Sequence, residues 1–128
     1  MGVLSNKFVI NKGLVNEFII TIKQNNETLP MVIDPSDVFE VILYKLSDDS
    51  EVGRVSLVEN VNGVIEIYDA PNGQILVKLY DALCDTLVKD KGTKADRYYL
   101  KPTYRLSIEA TTVNNGNFVA KLREVYVE

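Results

Sequence analysis

Three places along this chain hold residue types that do chemistry in other proteins. They are the acidic group Asp48, Asp49 and Glu51, the single cysteine Cys84, and the run Arg97-Tyr98-Tyr99. The chain has no histidine. The commonest general base near neutral pH is therefore missing, and neither a Ser-His-Asp nor a Cys-His arrangement can be assembled. Asp48 and Asp49 are adjacent in a predicted turn, whereas an acid–base pair needs two carboxyls fixed across a cleft, one with a raised pKa. With Glu51 they would offer oxygens to calcium, but the spacing matches no calcium loop and reads as a solvated turn. Cys84 falls on the apolar side of a predicted helix, where a thiol is a small buried hydrophobe. No glycine-rich loop leads into a helix to cradle phosphate. These residues assign no catalytic group, no cofactor and no metal. Arg97, Tyr98 and Tyr99 are types that dominate interfaces. They form either a contact patch or a strand flank with one tyrosine turned inward.

Composition narrows the partners. Fourteen basic residues against eighteen acidic ones leave a net charge of −4, which gives no general attraction to nucleic acid or to an anionic membrane. No run of about 18 apolar residues exists to span a bilayer, and no secretory signal pattern is seen near the N-terminus. A lone cysteine cannot form an internal disulfide, which suits a reducing compartment or a particle assembled inside one.

The elements that would position these residues are strands. Residues 104–127 read as a long hairpin turning at Asn115-Gly116, the dipeptide that supplies positive φ angles to a tight turn. Tyr104, Leu106, Ile108 and Ala110 alternate with Arg105, Ser107 and Glu109, the period of a strand with one buried face. The return strand places Phe118, Ala120 and Leu122 opposite Val119, Lys121 and Arg123. Upstream, Glu17–Lys23, Val38–Leu46, Val52–Glu59, Gly63–Tyr68 and Gln74–Tyr80 are further strands, with Asn62-Gly63 a second hairpin signal. Both faces of Val38–Leu46 are apolar, which predicts a central position. The segment Thr28–Ile33 contains Pro30, which cannot donate to a ladder, so it belongs at an edge. Asp81–Val88 has helical spacing, with Asp81 placed to cap it. Phe8, Val9 and Ile10 form a short apolar run ahead of Gly13. It is either an edge strand lying on the domain or an arm that adds to a neighbour's sheet.

These signals predict an all-β fold, an immunoglobulin-like β-sandwich of about seven to eight antiparallel strands with one short helix. Residues 1–16 would be an N-terminal arm or edge strand, and residues 17–128 a single sandwich domain. The pieces Phe18-Ile-Ile-Thr-Ile-Lys, Asp37-Val-Phe-Glu-Val-Ile-Leu-Tyr, Pro71-Asn-Gly-Gln-Ile-Leu-Val-Lys-Leu and Tyr104-Arg-Leu-Ser-Ile-Glu-Ala, with the closing strand to Val127, together resemble the immunoglobulin-like domain of phage baseplate upper proteins. The chain departs from that pattern at Asp81–Val88 and in the charged stretch after it. In such domains a tyrosine placed like Tyr104 ties its hydroxyl to nearby backbone.

The resemblance implies a non-enzymatic structural module of a tailed-phage particle, made in the host cytoplasm and carried in the virion at the baseplate, tail or head surface. Its partners would be other virion proteins or further copies of itself, through Phe8, Val9, Ile10, Arg97, Tyr98 and Tyr99. The alternative is a carbohydrate- or receptor-binding sandwich with a tyrosine platform for a glycan. On the arm reading, removal of residues 1–12 leaves a folded domain and weakens self-association.

Overall fold

The computed structural model describes residues 8–23, 29–88 and 103–127. The alternation along Tyr104–Thr112 becomes a pleat: Tyr104, Leu106, Ile108 and Ala110 are buried, Arg105 is half-buried and Glu109 is exposed. The other strands are β1 (Phe8–Ile10), β2 (Asn16–Thr21), β3 (Val38–Lys45), β4 (Glu51–Ser56), β5 (Gly63–Asp69), β6 (Gln74–Leu79) and β8 (Gly116–Val127), with Tyr104–Thr112 as β7. A five-stranded sheet of order β1-β8-β7-β3-β4 lies opposite a three-stranded sheet of order β2-β6-β5. The chain changes sheet at β1–β2, β2–β3, β4–β5 and β6–β7, a Greek-key path, and this division of strands is that of an immunoglobulin-like sandwich.

The inward side chains of both sheets merge into one core. Ile20, Ile75 and Val77 come from the smaller sheet; Phe39, Val41, Leu43, Leu106 and Ile108 come from the larger. Each such aliphatic side chain taken from water contributes about 1.5–3 kcal/mol. Tyr104 is 2% exposed, and its hydroxyl accepts a 2.7 Å hydrogen bond from the Val88 backbone N–H. This is the tie expected of a tyrosine at that corner. Leu106, two residues further on, fills the place of the second cysteine in antibody domains.

Several expectations need correction. The pairs within both sheets are antiparallel except β1, which runs parallel to β8 with Phe8 beside Val125 and Ile10 beside Val127. Asn62-Gly63 does not turn a hairpin, because β4 and β5 lie in different sheets. Gly63 is required for another reason: with φ at +147°, a Cβ there would stand 1.9 Å from the Lys78 carbonyl oxygen. The β7–β8 turn is wider than a two-residue loop. Thr112 pairs with Gly116, and of the turn residues only Gly116 has positive φ.

The segment around Pro30 joins neither sheet except through an isolated bridge to Lys23. It is held by hydrogen bonds from Met31 N–H to the Ile22 carbonyl (2.8 Å) and from Ile33 N–H to the Ala70 carbonyl (2.9 Å). Regular helix α1 covers only Asp81–Cys84, and Tyr80, not Asp81, is its N-cap. A turn then carries Leu87 into the core. In β8 the register slips opposite Arg105–Ser107. A bulge shifts side-chain parity, so Ala120 before it and Val125 and Val127 after it are all buried.

Candidate interaction surface

The outer face of the five-stranded sheet is where alternation places side chains of mixed charge. On β3 the outward residues are Val38, Glu40, Ile42 and Tyr44, and on β7 they are Arg105, Ser107, Glu109 and Thr111. Register sets them in rows: Tyr44 beside Arg105, Ile42 beside Ser107, Glu40 beside Glu109, and Val38 beside Thr111. The rows extend to Arg54 and Ser56 on β4, opposite Ile42 and Glu40, and to Val119 on β8, opposite Glu109.

Both arginines of this face are pinned. Arg54 forms a two-pronged pair with Glu51, at 2.8 Å to Oε1 and 3.2 Å to Oε2, and bonds Glu40 Oε2 with its other terminal nitrogen. The Glu51 pair raises the guanidinium pKa still further, and hydrogen bonds from Arg54 hold the Glu51 carboxyl below the usual carboxylate range. Arg105 lies over the Tyr44 ring, with Cζ 4.1 Å from the ring centroid, a cation–π contact. It also donates to Ser107 Oγ at 3.0 Å and to Asp49 Oδ1 at 3.3 Å. Among these, Ile42 is fully buried at 0% exposure although it faces away from the core. Long side chains on flanking strands cover apolar surface with their stems while keeping their charged heads wet.

Glu109 differs from its neighbours. It is exposed and sits directly across from another carboxylate, Glu40, an arrangement that is destabilising by itself. Arg54 neutralises Glu40, and Glu109 has no ion-pair partner among the described residues. Val119 beside it is 56% exposed and Val38 at the end of the face is 49% exposed.

A second apolar patch lies at the β2–β3 and β7–β8 end. The buried Asp37 carboxylate accepts from Asp34 N–H through Oδ2 and from Val113 N–H through Oδ1, both at 2.9 Å. It fastens the two connections together while Val32, Val38 and Val113 stay exposed around it.

The residues singled out in the sequence are dispersed. Phe8 and Ile10 are buried in this chain's own core, and Phe8 packs edge-on against Phe18 at 5.2 Å, closing the sandwich between the sheets. The run is therefore an edge strand here. Because Phe8 and Ile10 are part of the core, removal of residues 1–12 is expected to destabilise the domain as well as to change any self-association. Val9 is half-buried. Arg97, Tyr98 and Tyr99 lie outside the described residues. Asp48, Asp49 and Glu51 do not converge: Asp48 accepts from Ser50 (2.7 Å from Oγ, 3.0 Å from N–H), Asp49 meets Arg105, and Glu51 meets Arg54. The Ser50 bonds, the side-chain one foremost, lower the Asp48 pKa. Cys84 is buried, accepts a hydrogen bond from Asn16 Nδ2 at 3.3 Å, and has its thiol pKa pushed up by desolvation. Arg54, Tyr44 and Glu109 were not singled out. Their signal was the polar half of the alternation, Arg105-x-Ser107-x-Glu109 on β7, set against Glu40 and Tyr44 on β3.

Comparison with protein-family models found no match, and comparison with curated proteins found none either. Among solved structures, the chain is similar to a chain of the ZIG-8–RIG-5 IG1–IG1 heterodimer, at 9% sequence identity and a TM-score of 0.36, over 94% of this chain and 83% of that one. The immunoglobulin-like assignment rests on strand order and not on this likeness.

Proposed function

We propose that this protein is a non-enzymatic contact module, a β-sandwich whose work is to hold other proteins in an assembly. One observation carries the reading. Among the described residues, the outer face of the larger sheet fixes its cations by ion pairs and ring stacking, and leaves the Glu109 and Glu124 carboxylates without a cation and two valines exposed around a buried isoleucine. Such a face is preorganised for docking, because few side chains need ordering when a partner arrives. It has neither a cleft nor a titratable pair poised for proton transfer.

The particular assembly is a tailed-phage particle, with other virion proteins as partners and the virion as location. What supports that setting is the order of sequence pieces from Phe18 to Val127 that resembles the sandwich of baseplate upper proteins. Mass spectrometry of purified particles tests it. The polypeptide is expected at a stoichiometry that is constant between preparations and survives salt washing. Its absence from particles, with the protein recovered only from host lysate, would overturn the setting.

A further inference from the structure

We propose that the outer face of the five-stranded sheet docks against the same face of a second copy of this chain, about a twofold axis passing Ser107. The inference rests on the contact-module reading and names the partner and the residues. Along the outward side of β7 the sequence runs cation, small residue, anion: Arg105, Ser107, Glu109. This order is self-complementary when reversed. If two β7 strands lie face to face and antiparallel, each Arg105 stands over the other copy's Glu109, and the axis passes over Ser107, which is itself buried beneath Arg105. A twofold interface demands this reciprocity, since each contact occurs twice with the roles exchanged.

The other observations agree. Glu109 and Glu124 are exposed carboxylates of this face without an ion pair among the described residues, Glu124 lying opposite Arg105 in register, and Arg105 is only half covered by Tyr44, Ser107 and Asp49. Arg54, by contrast, is already saturated by Glu51 and Glu40. The same reversal centres the contact on the row of Ile42 and Ser107, both already buried by this chain's own side chains, so the contact is made by the charged and tyrosine side chains around them. Arg54, neutralised by Glu51 and Glu40, comes over its own counterpart, and Val119 lies near the rim. Four strands about 4.8 Å apart, each about 25 Å long, present a footprint of roughly 500 Å² before side-chain relief is added. That is the scale of a standard interface, about 800 Å² of accessible surface per partner. Two sheets packed face to face keep their strands within about 30° of alignment, which the central strands tolerate best.

Sedimentation of the full chain from micromolar to millimolar concentration tests this, with Arg105→Glu and Glu109→Arg as variants and circular dichroism to confirm folding. The wild type is expected to form dimers. Each variant alone should self-associate about a hundredfold more weakly, because two like-charge contacts replace two attractive ones. An equimolar mixture of the two variants should dimerise again, since every cross-contact then joins opposite charges. If Arg105→Glu does not fold, Glu109→Arg and Glu109→Gln still decide: reversal should weaken association more than neutralisation. A wild type that stays monomeric at millimolar concentration, variants that associate as the wild type does, or folded variants whose mixture stays monomeric would each overturn the proposal. A monomer would leave the particle reading standing, and a dimer absent from particles would leave this one standing.

Discussion

The outer faces of the two sheets grow from the same alternation and end differently. On β3, Ile42 points outward and is completely buried. On β2, Ile19 also points outward and remains 50% exposed, with Leu76 on β6 half-buried beside it. The larger sheet gives Ile42 strands on both sides that carry long, fixed side chains, Arg54 on β4 and the Arg105–Tyr44 stack one row away. The smaller sheet gives Ile19 a strand on one side only among the described residues. Its Lys78–Glu66 pair, 3.0 Å long, bridges β6 and β5, with Lys78 opposite Glu17 of β2 and not beside Ile19. The difference teaches that an outward apolar side chain becomes structural when flanking strands cover it, and stays surface when one flank is empty.

The largest expected effect follows from that contrast. Ile42→Ala should cost about 2–4 kcal/mol in urea unfolding, the range for a buried aliphatic truncated to alanine, while Ile19→Ala should fall within about 0.5 kcal/mol of wild type. Equal losses at the two positions would erase the distinction between the faces. A smaller effect is expected of the cations. Arg54→Ala should cost about 0.5–1 kcal/mol, a modest figure because its partners are over a third exposed and water screens them. Lys78→Ala should cost less, since its pair joins only two strands.

The smallest effect is in pH dependence, and its sign differs between the faces. Glu51 has a folded pKa below its unfolded one, so its contribution is complete above the unfolded value, about 4.3, and fades as pH falls through the folded value. Lys78 has a raised folded pKa, chiefly through its hydrogen bond to Glu66. Its contribution is complete below the unfolded value, about 10.4, and fades as pH rises through the folded one. The stability gap between wild type and Arg54→Gln should therefore close in acid, and that between wild type and Lys78→Met in alkali. Urea titrations across pH check both; a gap that closes at the opposite limb would contradict the pairing.

Much of the fold was legible because period-two alternation is strong where one face is buried, and Tyr104 to Ala110 needed nothing more. Legibility failed where tertiary partners decide. Asn62-Gly63 has hairpin chemistry, but Gly63 is needed for the close passage of the Lys78 carbonyl as the chain crosses between sheets. The bulge in β8 leaves no composition signal, yet it moves Val125 and Val127 to the core side. Phe8 and Ile10, apolar and ahead of a glycine, read equally as an edge strand on the domain or as an arm, and sequence spacing alone does not choose between them. Pairing with the far end of β8, more than a hundred residues away in sequence, turns them into core. The candidate face was half visible. Arg105, Ser107 and Glu109 stood together in the pattern, but only the folded structure reveals that Glu40 already has Arg54 as its cation and that Glu109 has none among the described residues.

The most direct test of the central claim, that the larger sheet's outer face is the contact surface, is a concentration series of backbone amide spectra by NMR. From tens of micromolar to about a millimolar, amides of residues 40–44 and 105–109 should shift and broaden together, while those of β2, β6 and β5 stay still. Changes confined to the three-stranded sheet would contradict the account, and a spectrum that does not change at all would contradict self-association through this face.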